Sequence, residues 1–452
     1  MQDEGNKLTL FAVGDDDQNI YSFDGASVEF IRRFTDDYQA KPQFLVENYR
    51  SSANIIDVAN LIIQPASERM KAEQPITIDR ARRRLLAGGA WEARDPVARG
   101  RVQVLPACES PTHQALAAIT ELQRLAALDA DWKWSHCAVI AREWRYLEPV
   151  RAYCEHLDIP VQMADNEATK FWKLRETQAL LIWLRSSERK LIDSQAISLW
   201  LDTQTDGPWW ALLREGAHAY GLETAGVELP VGHFIEWLAE WGREARRRQS
   251  GLLLLTAHSS KGLEFEHVVV LDGGWDRVGE NEDLDAPRRL YYVAVTRAKS
   301  LLVLCRLASG NKLIDALPAS SGAIQRAPMA LPEPMSALSR RYQLLTPADV
   351  DLGFSGRFAP SHPIHQAISA LRPGSTLEVR RATDRWELLI SSSNIVVGRL
   401  SRGYNPPRGF AQVYARVHAI IIRRLDDEDE GFRRTIRSAR WEIVLPELLF
   451  ES

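Results

Sequence analysis

Four strings in this chain combine residue types suited to chemistry on phosphates. In Leu10-Phe11-Ala12-Val13-Gly14-Asp15-Asp16-Asp17-Gln18-Asn19-Ile20-Tyr21-Ser22-Phe23, the Gln18 amide offers both a donor and an acceptor to a phosphate oxygen or an attacking water. Tyr21 and Phe23 are two apart, so in an extended loop both rings face one side and can stack on unpaired bases. The three aspartates alone would only mark a turn that caps the next helix. In Phe44-Leu45-Val46-Glu47-Asn48-Tyr49-Arg50-Ser51-Ser52, Ser51 or Ser52 is a fair helix N-cap. Arg50 then stands beside a helix start, where the dipole disfavours cations, so it needs an anionic partner such as a phosphate; the plain alternative is a solvated cation.

The third string, Thr256-Ala257-His258-Ser259-Ser260-Lys261-Gly262-Leu263-Glu264-Phe265, packs hydroxyl, imidazole, ammonium and carboxylate groups between two apolar strands. Such a set suits contacts to a phosphate backbone and a sugar hydroxyl, although a lone His or Lys in a loop is usually just solvated. The fourth runs from Arg288 to Lys299 and reads as an apolar helix with arginines at both ends. Arg289, Val293 and Arg297 step by four and share a face. Lys299 suits the helix dipole at the carboxyl end. Arg297, one turn inside, suits an arginine finger that stabilises charge on a transferring γ-phosphate.

The elements that must position these strings follow from periodicity. A strand is predicted at Leu8 to Val13 and a helix from about Ser27 to Phe34. Alternating strands and helices follow over 101–165: Val102 to Leu105, Thr112 to Leu125, Cys137 to Ala141 and Leu147 to His156. Residues 167–248 read as helical throughout, with no strand. The alternation resumes with Leu252 to Leu255, His267 to Leu271, a helix from about Arg288 to Ala298 and a strand from Leu301 to Cys305. This is an α/β pattern, a parallel sheet split by a helical insertion. Residues 307–345, rich in Ala, Ser and Pro, read as a linker. Short β-rich runs then begin at Thr376, Trp386, Ile395, Val413 and Trp441 and suggest a small barrel or compact sheet. The pairs Arg380-Arg381, Arg423-Arg424 and Arg433-Arg434 are offset by the acidic run Asp426 to Glu430 and read as a solvated face.

Composition constrains the partners. With 45% apolar and 26% charged residues, a net charge of −4 and a pI near 6.3, the chain has no global basic character, so any nucleic-acid site must be local. Its four cysteines, Cys108, Cys137, Cys154 and Cys305, form no C-x-x-C pair and are expected to be free thiols rather than a zinc site or disulfides. No metal-ligating cluster is expected. No signal-peptide pattern or membrane-length apolar run occurs, so the expected compartment is the cytoplasm, without a membrane partner.

In this order the four strings resemble the later motifs of superfamily 1 DNA helicases of the UvrD/Rep/PcrA type: G-D-x-x-Q-x-I-Y, N-Y-R-S, T-x-H-x-x-K-G-L-E-F and Y-V-x-x-T-R-A. The resemblance covers about residues 8–62 and 101–305. It implies a RecA-like parallel sheet of the P-loop NTPase type, followed by a small β-rich C-terminal domain. Residues 1–50 would be a remnant of the first RecA-like domain, 51–166 with 249–306 the second, 167–248 a reduced 2B insertion and 346–452 the β-rich domain. It further implies that Gln18, Arg50 and Arg297 contact the γ-phosphate, that Tyr49 stacks on adenine and that Glu264 holds the ribose. Gly262 and Arg289 fall with these on the nucleotide side, while Tyr21, Phe23, Thr256 and His258 fall on the single-stranded DNA side.

Three departures qualify the match. Phe23-Asp24-Gly25-Ala26 stands where the family has Trp-Arg-Gly-Ala, and Ala286-Pro287 precede the last motif in place of two glutamates. No Gly-Lys dipeptide occurs in the chain, so there is no G-x-x-x-x-G-K-[ST] loop to cradle phosphates, and the D-E-x-x magnesium string, expected just before Met1, is also lacking. The expectation is therefore the C-terminal part of an ATP-dependent 3′-to-5′ DNA helicase. It would use ATP and Mg2+ only with a missing N-terminal RecA-like half, and would be inactive alone. The alternatives are a non-catalytic DNA-binding or regulatory subunit and a degenerate helicase remnant. The tail's layout is similar to that of long bacterial proteins joining a RecQ-like helicase to a UvrD-like one.

Overall fold

The computed structural model describes residues 10–21, 28–67, 69–164, 170–186, 190–244, 249–279, 282–315, 317 and 322–451. The chain forms two compact units, residues 1–164 with 249–338, and residues 165–248 with 339–452.

The first unit is built on seven strands: β1 (Val102–Cys108), β2 (Cys137–Ala141), β3 (Val161–Met163), β4 (Leu252–Thr256), β5 (Phe265–Val270), β6 (Ala298–Leu307) and β7 (Ala323–Gln325). They lie in the order β7-β1-β6-β5-β2-β4-β3, and every pairing is parallel. Continuous apolar runs such as Cys-Ala-Val-Ile-Ala in β2, buried at every residue, are what a parallel sheet covered on both faces requires. Helix Ala53–Ile63 buries Ile55, Val58, Ala59, Ile62 and Ile63 in the same core as Leu290, Tyr291 and Val293 of helix Ala286–Val295.

The α/β reading holds, and several boundaries move. The strand expected from Leu8 to Val13 is not formed over its described part: Leu10 to Val13 carry no regular structure, and Phe11 and Val13 are 89% and 78% exposed. An apolar strand needs a neighbour on its edge to satisfy its backbone, and no other described segment of the chain pairs with this one. The linker reading of 307–345 missed β7, which completes the sheet beside β1, and also a strand of the second unit. All four cysteines are free and buried. Burial pushes their thiols up, which keeps them protonated and unreactive.

In the second unit, β8 (Arg341–Leu344), β9 (Thr376–Arg381), β10 (Trp386–Ile390), β11 (Ile395–Arg399), β12 (Ala411–Arg424) and β13 (Arg440–Glu451) form an antiparallel sheet in the order β8-β13-β12-β9-β10-β11. The insertion contributes helices Arg175–Ser186, Ser194–Asp202, Pro208–Glu223 and Val231–Glu244. It also holds one two-residue antiparallel pair, Leu191–Ile192 with Leu229–Pro230, which the all-helical reading left out. Leu174, Trp209 and Leu212 of the insertion enter the core that the sheet builds from Val417, Ile420, Trp441 and Leu445, and the Trp209 indole donates to His418 O at 3.2 Å. The arginine pairs are partly drawn into the sheet: Arg380 meets the buried Glu387 at 3.1 Å and Arg423 meets Glu428 at 2.6 Å.

This unit stores a titratable strain. Glu176 is 2% exposed, one of its carboxylate oxygens has no partner, and Arg175 reaches the other only at 3.6 Å. Burial raises its pKa, as does Glu442, whose own pKa burial also raises. A carboxyl whose pKa is higher in the folded than in the unfolded chain binds more protons folded, so stability falls as pH rises through that interval. Glu176→Gln is therefore expected to raise the unfolding midpoint of this unit at pH 7–8 and to flatten its decline with pH. Thermal unfolding from pH 5 to 8 measures this, and a lowered midpoint at pH 8 contradicts it.

Candidate nucleotide and nucleic-acid site

The site lies wholly in the first unit, and strand register explains how distant strings meet. Phe265 pairs with Ala298 at the amino ends of the neighbouring strands β5 and β6. Glu264 and Arg297, the residues immediately before these strands, are thereby brought to the same edge. Residues 50–52 join them there: the Ser51 hydroxyl donates to Ala298 O at 2.7 Å and Ser52 N donates to Lys299 O at 2.9 Å. The Asn48 side chain fixes that turn by accepting from both Arg50 N and Ser51 N at 2.8 Å. Ser52 occupies the N-cap position, but its hydroxyl makes no cap. Thr256 closes β4 and His258 follows it, both at the carboxyl edge of the sheet. Residues Ala257 to Glu264 run from the carboxyl end of β4 past β2 to the amino end of β5, with Ala257 and Ser260 fully buried. One loop, anchored by those two residues, thus ties the two edges together. Gly262 in that loop holds φ +82° with open space around it, a conformation that favours glycine.

Arg297 differs from its sequence reading. Helix Ala286–Val295 has already ended, and the residue stands in the turn before β6. It is 3% exposed. Its Nε donates to Val293 O at 2.9 Å, Nη1 to Leu263 O at 3.0 Å, and Nη2 to Gln18 Oε1 at 3.3 Å. Burial, with Arg50 adding like-charge repulsion, lowers its pKa to about 10, which leaves it a cation at neutral pH. Arg50 finds the anionic partner its position demands in Glu264, at 2.6 Å. Lys299 also reaches Glu264 at 2.6 Å. It is a strand residue placed by β6 and not the helix-end cation read from sequence. Lys299, Arg50 and Arg297 hold the Glu264 carboxyl below the usual range, with the Lys299 hydrogen bond the strongest influence. Arg289 is buried and donates to Asn19 O at 3.0 Å, which ties the end of the Gln18 turn to the last motif.

The Asp-rich turn carries more than a cap. Gln18 Nε2 donates to Asp15 Oδ2 at 2.6 Å. Arg69 grips both oxygens of Asp17 at 2.7 Å, Met70 N donates to Asp16 at 2.6 Å, and Lys71 reaches Asp15 at 2.5 Å. Sequence reasoning missed this clamp, because Arg69-Met70-Lys71 lies in an irregular segment with no motif of its own. Tyr21 donates to His258 O at 3.2 Å, their rings are 6.4 Å apart, and Lys261 lies over the Tyr21 ring at 4.8 Å. Burial, then Arg142, lowers the His258 pKa, so the imidazole is neutral near pH 7. Thr256 Oγ1 donates to Ser259 Oγ at 3.1 Å. Tyr49 is 73% exposed, with its hydroxyl on Glu47 at 2.9 Å. Phe23 lies outside the described residues.

Three family models match in chain order: a UvrD/REP helicase N-terminal domain at residues 2–39 and UvrD-like helicase C-terminal domains at 44–215 and 251–305. The chain belongs to the UvrD-type superfamily 1 helicases. This UvrD-type chain is 30% identical over 214 residues to DNA helicase II of Haemophilus influenzae, an alignment covering 45% of this chain and 25% of that protein. It is 28% identical over 329 residues to the ATP-dependent DNA helicase UvrD2 of Mycobacterium tuberculosis, covering 66% and 44%. To ATP-dependent DNA helicase PcrA of Staphylococcus epidermidis it is 49% identical over 61 residues, covering 13% and 8%. The UvrD-type segment thus spans from under a tenth to under half of the length of these relatives. The matched regions hold all four strings, the first within the N-terminal-domain match and the other three within the C-terminal-domain matches. Among the described residues no helix is long and apolar enough to cross a membrane, and no group of metal-ligating side chains is found.

The cation set fits a nucleotide's phosphates. Arg50 and Arg297 lie close enough to repel each other, and Arg50 and Lys299 share one carboxylate, Glu264. An added anion at this edge relieves that repulsion.

Proposed function

We propose that this chain is the C-terminal part of an ATP-dependent 3′-to-5′ DNA helicase. In this reading it supplies the finger, nucleotide-closing and single-strand contacts, while the phosphate loop and magnesium carboxylates come from sequence outside these 452 residues. Gln18, Arg50 and Arg297 then meet the γ-phosphate, Tyr49 the adenine and Glu264 the ribose, with Gly262 and Arg289 shaping that side. Tyr21, Phe23, Thr256 and His258 face a DNA strand. The observation that carries the reading is the 3.3 Å contact between Gln18 and Arg297, residues 279 apart in sequence, beside the Arg50–Glu264 pair. ATP supplies the transferring phosphoryl group, and this chain's part is to hold fixed cations where charge develops on it.

The test is ATP turnover by the purified chain with and without single-stranded DNA, repeated after adding a phosphate-loop-bearing half from a UvrD relative. No turnover alone and DNA-stimulated turnover in the mixture is the expected result. Turnover by the chain alone refutes it. Salt-sensitive DNA binding with no turnover in any mixture would favour a non-catalytic binding subunit.

A further inference from the structure

A cleft of about 580 Å3 in the first unit is lined by Leu85, Leu86, Trp91, Trp132 and His267, among others. Its size is that of a small-molecule site. We infer that it binds a small organic oxyanion, a phosphate monoester or a carboxylate that carries an apolar body.

Charge supports an anion. The lining holds five Lys or Arg side chains; Arg50 and Lys299 are paired with Glu264, Arg82 with Asp79 and Arg94 with Asp129, which leaves the exposed Lys133 as the lining cation without an ion pair among the described residues. The unpaired polar atoms point the same way. His267 is 7% exposed and its Nδ1 has no hydrogen-bond partner; the Trp132 Nε1 is buried and equally without one. The two rings lie flat on each other, 4.4 Å apart at 2°. An indole N–H can only donate, so what Trp132 lacks is an acceptor oxygen. Burial lowers His267 to about 4, which leaves it neutral at pH 7 and able to donate from Nδ1 as the appropriate tautomer. The anion's charge must therefore be met chiefly by Lys133, while Trp132 and His267 of the same lining carry the N–H groups that lack an acceptor.

The rest of the lining gives the ligand its apolar body. Leu85 and Leu86, 63% and 60% exposed, offer adjacent apolar surface to that body. A stacked nucleobase fits less well, because the Trp132 and His267 faces already cover each other and Trp91 meets both edge-on at 87°. Arg50 and Lys299 are shared between this cleft and the proposed nucleotide edge, whereas Gln18, Glu264 and Arg297 lie outside the cleft, so Gln18 can be varied without changing its lining.

The experiment uses the full chain with 15N-labelled tryptophan. The Trp132 indole resonance is assigned by its disappearance in Trp132→Phe, a change that removes a buried donor lacking a partner and should leave the chain folded. Phenyl phosphate, phenylacetate and benzyl alcohol are then titrated. The inference expects a saturable shift of the Trp132 resonance with at least one anion, no response to the neutral alcohol, and at least severalfold weaker binding in Lys133→Glu. The preferred anion names the class. No saturable shift with either anion, an equal response to benzyl alcohol, or unchanged affinity in Lys133→Glu overturns it. Gln18→Ala, outside the cleft, should leave the titration unchanged; loss of binding there would place the anion on the nucleotide edge and also overturn the inference. None of these readings depends on ATP turnover.

Discussion

In a motor completed with a phosphate-loop-bearing half, Arg297→Ala is expected to slow ATP turnover by roughly 10³-fold or more while largely keeping single-strand binding. The magnitude rests on how the guanidinium is held. Two backbone carbonyls and the Gln18 amide fix its fork at 3% exposure, so its charge is in place before the reaction and needs no reorganisation. The same contacts mean that truncation strips the donor from Leu263 O, while Val293 O keeps the Thr296 hydroxyl at 3.1 Å, a stability cost of about 1–3 kcal/mol. Arg297→Lys separates the effects: it keeps a cation but loses the planar fork, and it should remain severely slowed with a smaller loss of stability. Turnover and unfolding midpoint must be measured on the same preparations. Near-normal turnover in a folded Arg297→Ala protein removes the finger assignment.

Arg69→Met is expected to destabilise the first unit by about 3–5 kcal/mol, because it strips the bidentate partner from a carboxylate already withdrawn from water. Asp17 is 1% exposed and Arg69 7% by side chain, and Lys71, the other cation nearby, is 3.6 Å from Asp17 and nearer to Asp15. An uncompensated buried charge costs far more than the pair contributes in place. The double variant Arg69→Met with Asp17→Leu should therefore recover most of the loss, and the recovery measures the coupling. Urea unfolding of the four proteins provides it. A single-variant cost below about 1 kcal/mol would mean that water or Lys71 already compensates Asp17.

The two variants also mark what a sequence can disclose. The sheet was legible because β2, β4 and β5 are short apolar runs between turn residues, a pattern set by burial on both faces. The motif residues were legible as strings, and the structure brings Gln18 to Arg297 and Arg50 to Glu264. Their surroundings were not, since the partners come from elsewhere. Nothing around Arg69-Met70-Lys71 announces three aspartates 52 to 56 residues earlier. Lys299 reads equally well as a helix-end cation until β6 is seen to begin at Ala298. β7 is three residues long in an Ala-, Ser- and Pro-rich stretch, too short for its alternation to register. Conversely, Leu10 to Val13 has the composition of a strand, and its exposure shows that apolar character specifies a strand only where a neighbouring edge exists to receive it.

The shared core of the second unit has a consequence for how the protein is made. That unit is assembled from residues 165–248 and 339–452, with strands β4 to β7 of the first unit encoded between them. On the ribosome the insertion helices emerge long before the strands that cover Leu174, Trp209 and Leu212, and they must wait with those side chains exposed. A nonsense mutation or proteolytic nick after residue 338 would therefore do more than delete an appendage. It would leave an upstream element without its covering, and quality-control proteases would meet the damage in a segment far from the lesion.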